Sequence, residues 1–535
     1  MIKSPRGTRD LLPPDTALWN FVEAAVRDVF RAYNFHEIRT PIFESTELFA
    51  RGVGEETDIV SKEMFTWEEG RGAALGKLLS SYWVHKHLTE IEDLTWEPVF
   101  NRRRPDLVVK TATDWIVVEF KRATINRATI ENIKQYRKVF ASAFPERQEA
   151  KLLLVFAEEP SQFVRRLAGS NGVDIEVLDL PGYEPPESLT LRPENTAGVV
   201  RAYIENRMEN RGLNKLFYIG PQFRRERPQK GRYRQFYQIG AEVIGPAAAG
   251  SQSPARDAEI LELLATLLDR VGITNWTLEL NSVGCPADRA KFNEALRQAL
   301  APVVEKMCAD CQRRAVTNPL RVFDCKVPED QPIISKLPTI TQFLDEACRT
   351  HYEEVKQILN AVQIPYQENP RLVRGLDYYQ KTTFEFTHGA LGAQNAILGG
   401  GRYDGLSEAL GGPAAPGIGF AIGEDRLVLS LMETASAESV VRKPDVYIAP
   451  LGAGMNREAA RLARELRRHD LVVDLGDESF RLKKSFEAAD KMGARYILIV
   501  GENEVAADAF ALKHLASGEQ VTVPRAELAR RILRK

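Results

Sequence analysis

Phe223-Arg-Arg-Glu-Arg-Pro-Gln-Lys-Gly-Arg-Tyr-Arg234 is the stretch on which the reading of this chain turns. Six of its twelve residues are basic and only Glu226 is acidic, whereas the whole 535-residue chain carries a formal net charge of −2. The charge is therefore placed locally and is not a matter of bulk composition. Apolar, strand-like runs flank it, Leu216-Phe-Tyr-Ile219 before and Phe236-Tyr-Gln-Ile239 after, and Pro228 and Gly231 mark a turn between them. The pattern predicts a long hairpin based in a sheet, with a basic tip that reaches a polyanion: a nucleotide, a nucleic acid, or both.

Composition bounds the rest. A chain that is 44% hydrophobic and 27% charged is ordinary globular protein, with length for about three domains. Near-neutrality argues against a general nucleic-acid coat. No apolar h-region opens the chain and no run reaches the ~18 apolar residues of a membrane helix, so the expectation is a cytoplasmic protein with no membrane contact. Five cysteines do not make a disulfide framework in a chain this long. Cys308-Ala-Asp-Cys311 is half of a zinc pattern, but Cys285 and Cys325 are irregularly placed, so no protein-built zinc site is expected.

Outward from the hairpin, residues 16–33 carry a helical apolar stripe, and Ile38-Arg-Thr-Pro-Ile-Phe43 reads as an extended segment in which Pro41 suits an edge or interface. Met64-Phe-Thr-Trp67 should pair with Ser188-Leu-Thr-Leu-Arg-Pro193, although 120 residues separate them. That interval has strands and helices of its own and closes on the linker-like Pro181-Gly-Tyr-Glu-Pro-Pro186. It reads as a domain inserted at a hairpin tip, where the host's chain ends are close. Residues 286–364 are mostly helical. From about residue 443 the alternation of strands and helices predicts a separate α/β unit with a largely parallel sheet.

Four segments describe one site. The basic hairpin can clamp phosphates bidentately. Leu191-Arg-Pro-Glu-Asn-Thr196 offers a carboxylate and a hydroxyl, suited to an ammonium group. Arg374-Gly-Leu-Asp-Tyr-Tyr379 offers a cation and an aromatic wall. Gly423-Glu-Asp-Arg426 starts a helix after glycine-rich backbone, where a nucleotide can approach.

With these segments in place, the sequence resembles the histidyl-tRNA synthetases, a family of class II aminoacyl-tRNA synthetases. The resemblance covers roughly residues 1–69 and 187–535. It rests on Arg6-Gly-Thr-Arg-Asp10, the motif 1 segment Arg39-Thr-Pro-Ile-Phe-Glu44, motif 2 at residues 220–238, the histidine signature Leu372-Val-Arg-Gly-Leu-Asp-Tyr-Tyr379, and motif 3 at residues 417–426. It implies a multidomain α/β fold: an antiparallel-sheet catalytic core at 1–69 and 187–440 with a helical subdomain at about 286–364, an insert at 70–186, and an α/β anticodon-binding domain at 443–535.

The resemblance also implies roles. Arg224, Glu226, Arg232 and Arg426 would bind ATP, with Arg224 and Arg374 catalytic at its α-phosphate and Mg²⁺ bridging the β- and γ-phosphates. Glu194, Thr196 and Gln238 would receive the α-amino group of L-histidine. Glu242 and Tyr379 would hydrogen-bond the imidazole, with Arg374, Tyr378 and Tyr403 around the substrate. Arg227, Gln229 and Arg234 would meet the acceptor end of tRNA(His), and Arg481-Leu-Lys-Lys484 the anticodon side. The enzyme would be a homodimer built through motif 1. The rivals are a histidine-binding regulatory paralogue and a histidine-sensing kinase module. The first typically lacks the C-terminal domain and the intact signature, and nothing kinase-like is present.

The insert stands outside the usual family pattern. Arg104-Pro-Asp106 followed by Glu119-Phe-Lys121 is similar to the PD-(D/E)xK nuclease superfamily, with Gln135-Tyr136 as an extra motif and Glu90 or Glu92 as a further carboxylate. Asp106, Glu119 and Lys121 in that arrangement could bind Mg²⁺ and activate water. A synthetase that cut its own tRNA would be self-defeating, so an inert, repurposed fold is the alternative, with the run Arg102-Arg-Arg104 as a weak binding feature. The partner of the insert stays open at the level of sequence.

Overall fold

Alternating apolar residues on either side of the basic tip make a ten-residue hairpin. Asn214–Phe223 and Gln235–Ile244 pair antiparallel throughout, from Asn214 opposite Ile244 to Phe223 opposite Gln235. Ile239, Ala241 and Val243 are buried, and so is the acidic residue Glu242 between them, so this strand is covered on both faces. The computed structural model describes residues 2–533 apart from 55–56, 58, 70–71, 98–104, 122–124, 126, 144–149, 180–186, 230, 390–394 and 433–439. The basic run at 102–104 and the linker at 181–186 lie outside the described residues.

The hairpin sits near one edge of an eight-stranded sheet. Its order is His36–Glu37, Asn214–Phe223, Gln235–Ile244, Gly417–Gly423, Ala396–Arg402, Gln380–His388, Trp276–Ser282 and Gln367–Glu368. The six central strands run antiparallel and only the two-residue edge strands are parallel to their neighbours. The expected extended run at 38–43 is interrupted. His36–Glu37 joins the large sheet, Phe43–Ser45 joins another, and Pro41 stands between them without an N–H to donate. The distant pairing expected from sequence is present: Phe65, Thr66 and Trp67 lie opposite Leu191, Thr190 and Leu189 in a three-stranded sheet with Phe43–Ser45.

Between those two strands the chain forms a five-stranded sheet in simple sequence order: Ile91–Trp96, Leu107–Thr111, Trp115–Lys121, Lys151–Phe156, Val173–Val177. The first three strands are antiparallel, and the helix Arg127–Ala143 then crosses over to two parallel strands. Two elements were not foreseen. Ile91–Trp96 has an intermediate-to-exposed pattern with no buried residue, and Gln162–Gly169 is a short helix capped by Ser161, whose side chain accepts from Val164 N–H.

The chain divides into two compact units, Met1–Leu12 with Trp19–Ser436, and Pro13–Leu18 with Ala437–Lys535. The second carries the expected βαβαβ run. Val446–Leu451 pairs in parallel with Val473–Leu475 and Tyr496–Gly501, and an unforeseen antiparallel hairpin, Ala509–His514 and Gln520–Pro524, extends the sheet. Among the described residues no helix is long and apolar enough to cross a membrane.

A buried ion network ties the helix Pro254–Val271 to the large sheet. Arg402 is 0% exposed and pairs with Asp257 and, at 2.9 Å, with Asp404; His351 Nε2 lies 2.8 Å from Asp257. Burial alone would raise the Asp257 carboxyl, but the Arg402 charge and the His351 hydrogen bond overcome it and bring it down to about 2. Its folded pKa lies below the ordinary 3.8, so its stabilising contribution is complete above that value and is lost as pH falls through about 2. Asp257→Ala leaves a buried guanidinium short of its principal partner. The expected loss in urea unfolding at pH 7 is about 3–5 kcal/mol.

Candidate active site

The site forms where the hairpin, the strands Ala396–Arg402 and Gly417–Gly423, and the start of the helix Thr196–Glu205 meet. Glu194 sits just before that helix. Its two carboxylate oxygens accept the N–H groups of Thr196 at 2.7 Å and Ala197 at 3.0 Å, orphan donors of the first turn. Its carboxyl is raised by burial against the lowering effect of those bonds. Thr196 Oγ1 donates in turn to Glu242 Oε1 at 2.7 Å, and Tyr403 O–H donates to Glu242 Oε2 at 2.7 Å. Burial first, and the nearby Glu194 charge last, push the Glu242 carboxyl up to about 8 despite these two donors. Glu242 is 0% exposed, yet room for it exists because the facing residue on the next strand, Gly419, has no Cβ to collide with its Oε2.

Three tyrosines line the same place. The rings of Tyr378 and Tyr379 lie 4.7 Å apart, and Tyr378 meets Tyr403 edge-on at 5.9 Å. Burial raises all three phenols, so each is a neutral donor at physiological pH. Gln238 lies on the hairpin strand, and its Oε1 is buried without a hydrogen-bond partner among the described residues. An orphaned buried acceptor of this kind awaits a donor.

Beside this polar nest opens a cavity of about 230 Å³ lined by Arg224, Glu226, Arg232, Phe236, Arg374 and Arg426, among others. Arg224 is fixed by Nε donating to Pro193 O at 2.9 Å, and its guanidinium packs over Phe236 at 5.2 Å. Arg232 pairs with Glu226 at 3.2 Å. Arg374 pairs with Glu385 at 2.7 Å and lies against Gly399, where a Cβ would stand 2.6 Å from its Nη1. Arg426 follows directly on the strand Gly417–Gly423, in the first turn of the helix Glu424–Met432. Burial and the neighbouring Arg232 charge lower its pKa. Four arginines around one cavity make a site for a polyanion.

The fold thus brings together Glu194, Thr196, Gln238, Glu242, Tyr378, Tyr379 and Tyr403 on one side, and Arg224, Glu226, Arg232, Arg374 and Arg426 on the other. Arg227, Gln229 and Arg234 lie on the loop, closed by a bridge between Gln229 and Arg232. Arg234 N–H donates to Gly7 O at 2.7 Å, so the Arg6–Asp10 segment braces the loop. Two functional neighbours escaped the sequence. Glu385 positions Arg374 and is the only acid in the strand Gln380–His388, which was its one signal. Asp425 accepts from Arg9 at 2.7 Å and from Tyr237 N–H at 3.0 Å, and so anchors both hairpin and N-terminal segment.

The family model described as histidyl-tRNA synthetase matches residues 174–427. Over 530 residues, covering 99% of this chain and 95% of the relative, the sequence is 56% identical to the histidine–tRNA ligase of Koribacter versatilis. The chain belongs to the histidyl-tRNA synthetase family. A second family model, an anticodon-binding domain, matches residues 445–535. The histidine–tRNA ligase of Bacillus subtilis is 36% identical over 523 residues, 97% of this chain and 95% of its own. Among solved structures, the apo histidyl-tRNA synthetase of Staphylococcus aureus superposes with a TM-score of 0.64 at 30% identity, over 99% of this chain and 100% of that one. Membership in the family matches the site geometry: a small polar nest with paired donors and acceptors opens onto an arginine-lined cavity.

The insert gathers its own charged residues. Lys121 Nζ lies 2.6 Å from Glu119 Oε2 and 3.8 Å from Asp106 Oδ2, and Asp106 Oδ2 accepts the Phe120 N–H at 2.9 Å. Glu119 is buried and its carboxyl raised, by burial and by the Asp106 charge among other causes, and Tyr136 bonds to it. Gln135 lies on the helix Arg127–Ala143. Neither of the two further carboxylates, Glu90 and Glu92, lies in the preceding helix Gly72–Lys86. The helix stops at Lys86, Glu90 pairs with His87, and Glu92 lies in the strand Ile91–Trp96, where it pairs with Lys110.

Proposed function

We propose that the chain ligates L-histidine to tRNA(His) in two steps at this site, with histidyl-adenylate as intermediate. The observation that carries the reading is Glu242, a buried carboxyl held by Thr196 and Tyr403 beside the arginine cavity. A neutral imidazole needs one acceptor and one donor, and Glu242 and Tyr379 supply them. An apolar amino acid of similar size would leave both unpaired, which discriminates by about 10⁴–10⁵-fold without editing. Glu194 and Gln238 offer acceptors to the α-ammonium group, and Thr196 holds Glu242 in place.

ATP would enter the arginine cavity. Arg224 and Arg374 would flank the α-phosphate as the histidine carboxylate attacks it and charge builds on its oxygens. Arg232 and Arg426 would hold the departing pyrophosphate. Mg²⁺ bound with ATP would supply charge compensation for its phosphates. The carboxylates of Glu226 and Glu385 at the cavity are the hard oxygen donors it favours. In the second step the terminal ribose hydroxyl of tRNA takes the histidyl group and AMP leaves. Arg227, Gln229 and Arg234 would steer the acceptor end, and Arg481, Lys483 and Lys484, exposed at the start of the helix Leu482–Lys491, would contact tRNA backbone. The test is ATP–pyrophosphate exchange dependent on histidine and on no other amino acid; equal exchange with glutamine or phenylalanine would end this reading.

A homodimer is part of the same reading, supported by the apolar surface around motif 1. Ile42, Phe43 and Trp67 are 46%, 54% and 39% exposed, and the rings of Phe43 and Trp67 meet at 6.1 Å. A patch of large apolar side chains on an edge marks an interface. Phe43→Asp is expected to convert the dimer to monomer in light scattering and to reduce exchange; an unchanged mass would show that the interface lies elsewhere.

The convergence of Asp106, just before the strand Leu107–Thr111, with Glu119 and Lys121 of the neighbouring strand Trp115–Lys121, in a sheet whose three antiparallel strands lead into a crossover helix, favours a nuclease-like fold for the insert. Lys121 is engaged by both carboxylates and Asp106 by the backbone, which favours a repurposed fold over a cutting one. The protein is expected to leave labelled DNA and RNA intact with Mg²⁺ or Mn²⁺. Cleavage lost in Asp106→Ala/Lys121→Ala would instead show a working nuclease.

A further inference from the structure

Cys308 and Cys311 are half of a metal pattern along the sequence, and the fold supplies the other half. Cys308 is the residue before the helix Ala309–Thr317, and Cys311 lies in its first turn. The segment Pro319–Asp324 then turns the chain back, and Cys325 arrives beside them with Asp330 five residues on. The three Sγ atoms and a carboxylate oxygen all lie within 4.8 Å of one another. Cys308 Sγ and Cys325 Sγ are 3.9 Å apart, and Cys325 Sγ is 3.2 Å from Asp330 Oδ2. Zinc–sulfur bonds of about 2.3 Å at tetrahedral angles require an S···S edge of about 3.8 Å. The irregular spacing along the chain is thus no obstacle, because the intervening loop absorbs it.

We propose that Cys308, Cys311, Cys325 and Asp330 form a structural zinc site in the helical subdomain. The four side chains complete a tetrahedron and leave no position for substrate, the mark of a structural site. Thiolates select zinc over the hard Mg²⁺ that serves ATP. Binding replaces three thiol protons with one cation: Zn²⁺ plus three thiols and a carboxylate gives the four-coordinate complex and three H⁺. The complex carries two negative charges. The helix N-terminus at Cys308 and the Val327 N–H, which donates to Cys325 Sγ at 3.4 Å, oppose that charge. The second Asp330 oxygen keeps the Cys308 N–H. Cys311 and Cys325 are 0% and 6% exposed and belong to the core of the subdomain, which includes Phe292 and Val322.

The other cysteine–carboxylate cluster, Cys285, Asp288, Asp345 and Cys348, provides the contrast. Asp288 accepts the backbone N–H groups of Cys285 and Asp345, and Asp345 caps the helix Glu346–Ala361 through Cys348 N–H. Helix capping accounts for that arrangement without a metal, and Cys285 stands apart from the site proposed.

The site also has a consequence for the active centre. The loop between Cys311 and Cys325 carries Arg321, which donates to Gly375 O, and Asn318, which donates to Asp377 at 3.4 Å. Both acceptors lie in the histidine signature. A zinc at the base of the loop would fix it against that signature.

The test uses the full chain. Protein expressed with added zinc, then dialysed against metal-free buffer, is analysed by plasma mass spectrometry. Cobalt(II) is then substituted and its visible spectrum recorded. The expected result is one zinc per chain and the intense bands of tetrahedral thiolate-bound cobalt. Cys325→Ser should lose both, Asp330→Cys should retain both, and Cys285→Ser should match the parent. Circular dichroism of each variant confirms folding. Folded parent protein that retains less than about a tenth of a zinc per chain and gives only the weak spectrum of octahedral cobalt would overturn the proposal. So would equal zinc in folded Cys325→Ser.

Discussion

Arg374→Ala is expected to lower histidine-dependent ATP–pyrophosphate exchange by about 10³-fold or more, the range found when a cation aimed at transferring phosphoryl oxygens is removed. Arg374 has the geometry for that task before substrate arrives. Burial lowers its pKa, and the Glu385 charge reverses the effect and leaves it raised, so the guanidinium stays charged inside the site. Glu385 holds one end at 2.7 Å, and the bare backbone of Gly399 gives the guanidinium a flat bed. Its buried Nε has no hydrogen-bond partner among the described residues. Chemistry should suffer more than binding, so kcat should fall with a small change in KM for histidine. Arg374→Lys should recover little, because an ammonium cannot reproduce the planar fork. Thermal unfolding should move by only a few degrees. Exchange within threefold of the parent would remove Arg374 from the catalytic group.

Glu242→Gln is expected to raise the KM for histidine about 10–100-fold, the cost of losing a charge-assisted hydrogen bond in a buried site. The pH dependence separates this role from a structural one. In the empty site the carboxyl is pushed up to about 8, and the imidazole N–H needs the ionised acceptor. The parent kcat/KM for histidine should therefore rise with pH through about 8, and the variant should lack that limb. Stability runs the other way. A folded pKa above the ordinary 4.5 means that the folded state keeps a proton the unfolded chain has released. The parent's Glu242 contribution is therefore complete below 4.5 and falls away as pH climbs through about 8. Glu242→Gln should flatten that slope and unfold at a higher temperature than the parent at pH 8. A variant destabilised at every pH, with an unchanged pH profile for histidine, would mark Glu242 as a packing residue.

Local pattern carried much of the site into view. The basic tip, its flanking strands, the histidine signature and the glycine-rich run before Arg426 are each contiguous, so their residue types and spacing were visible without a fold. The pairing of residues 65–67 with 189–191 was legible because both strands keep their apolar alternation on either side of the insert. Glu385 was not legible. Its function is to hold a residue from another segment, and one acid in a strand carries no sign of the partner it will meet. Ile91–Trp96 was missed because a strand with no buried residue writes no periodicity.

The sequence by itself determined which chemistry is available: arginines for phosphate, a polar nest for an imidazole, an independent α/β unit from about residue 443. Tertiary structure decided which of these groups meet and in what state. The depth of Glu242 beneath Thr196 and Tyr403 sets its proton affinity, and that depth depends on Gly419 from a strand far along the chain. Likewise two cysteines on a helix start became a four-sided cluster only when a turn of the chain returned Cys325 and Asp330 to them. Residue type is local and one-dimensional. Dielectric environment and coordination depend on the three-dimensional neighbours of each atom, and folding alone chooses those.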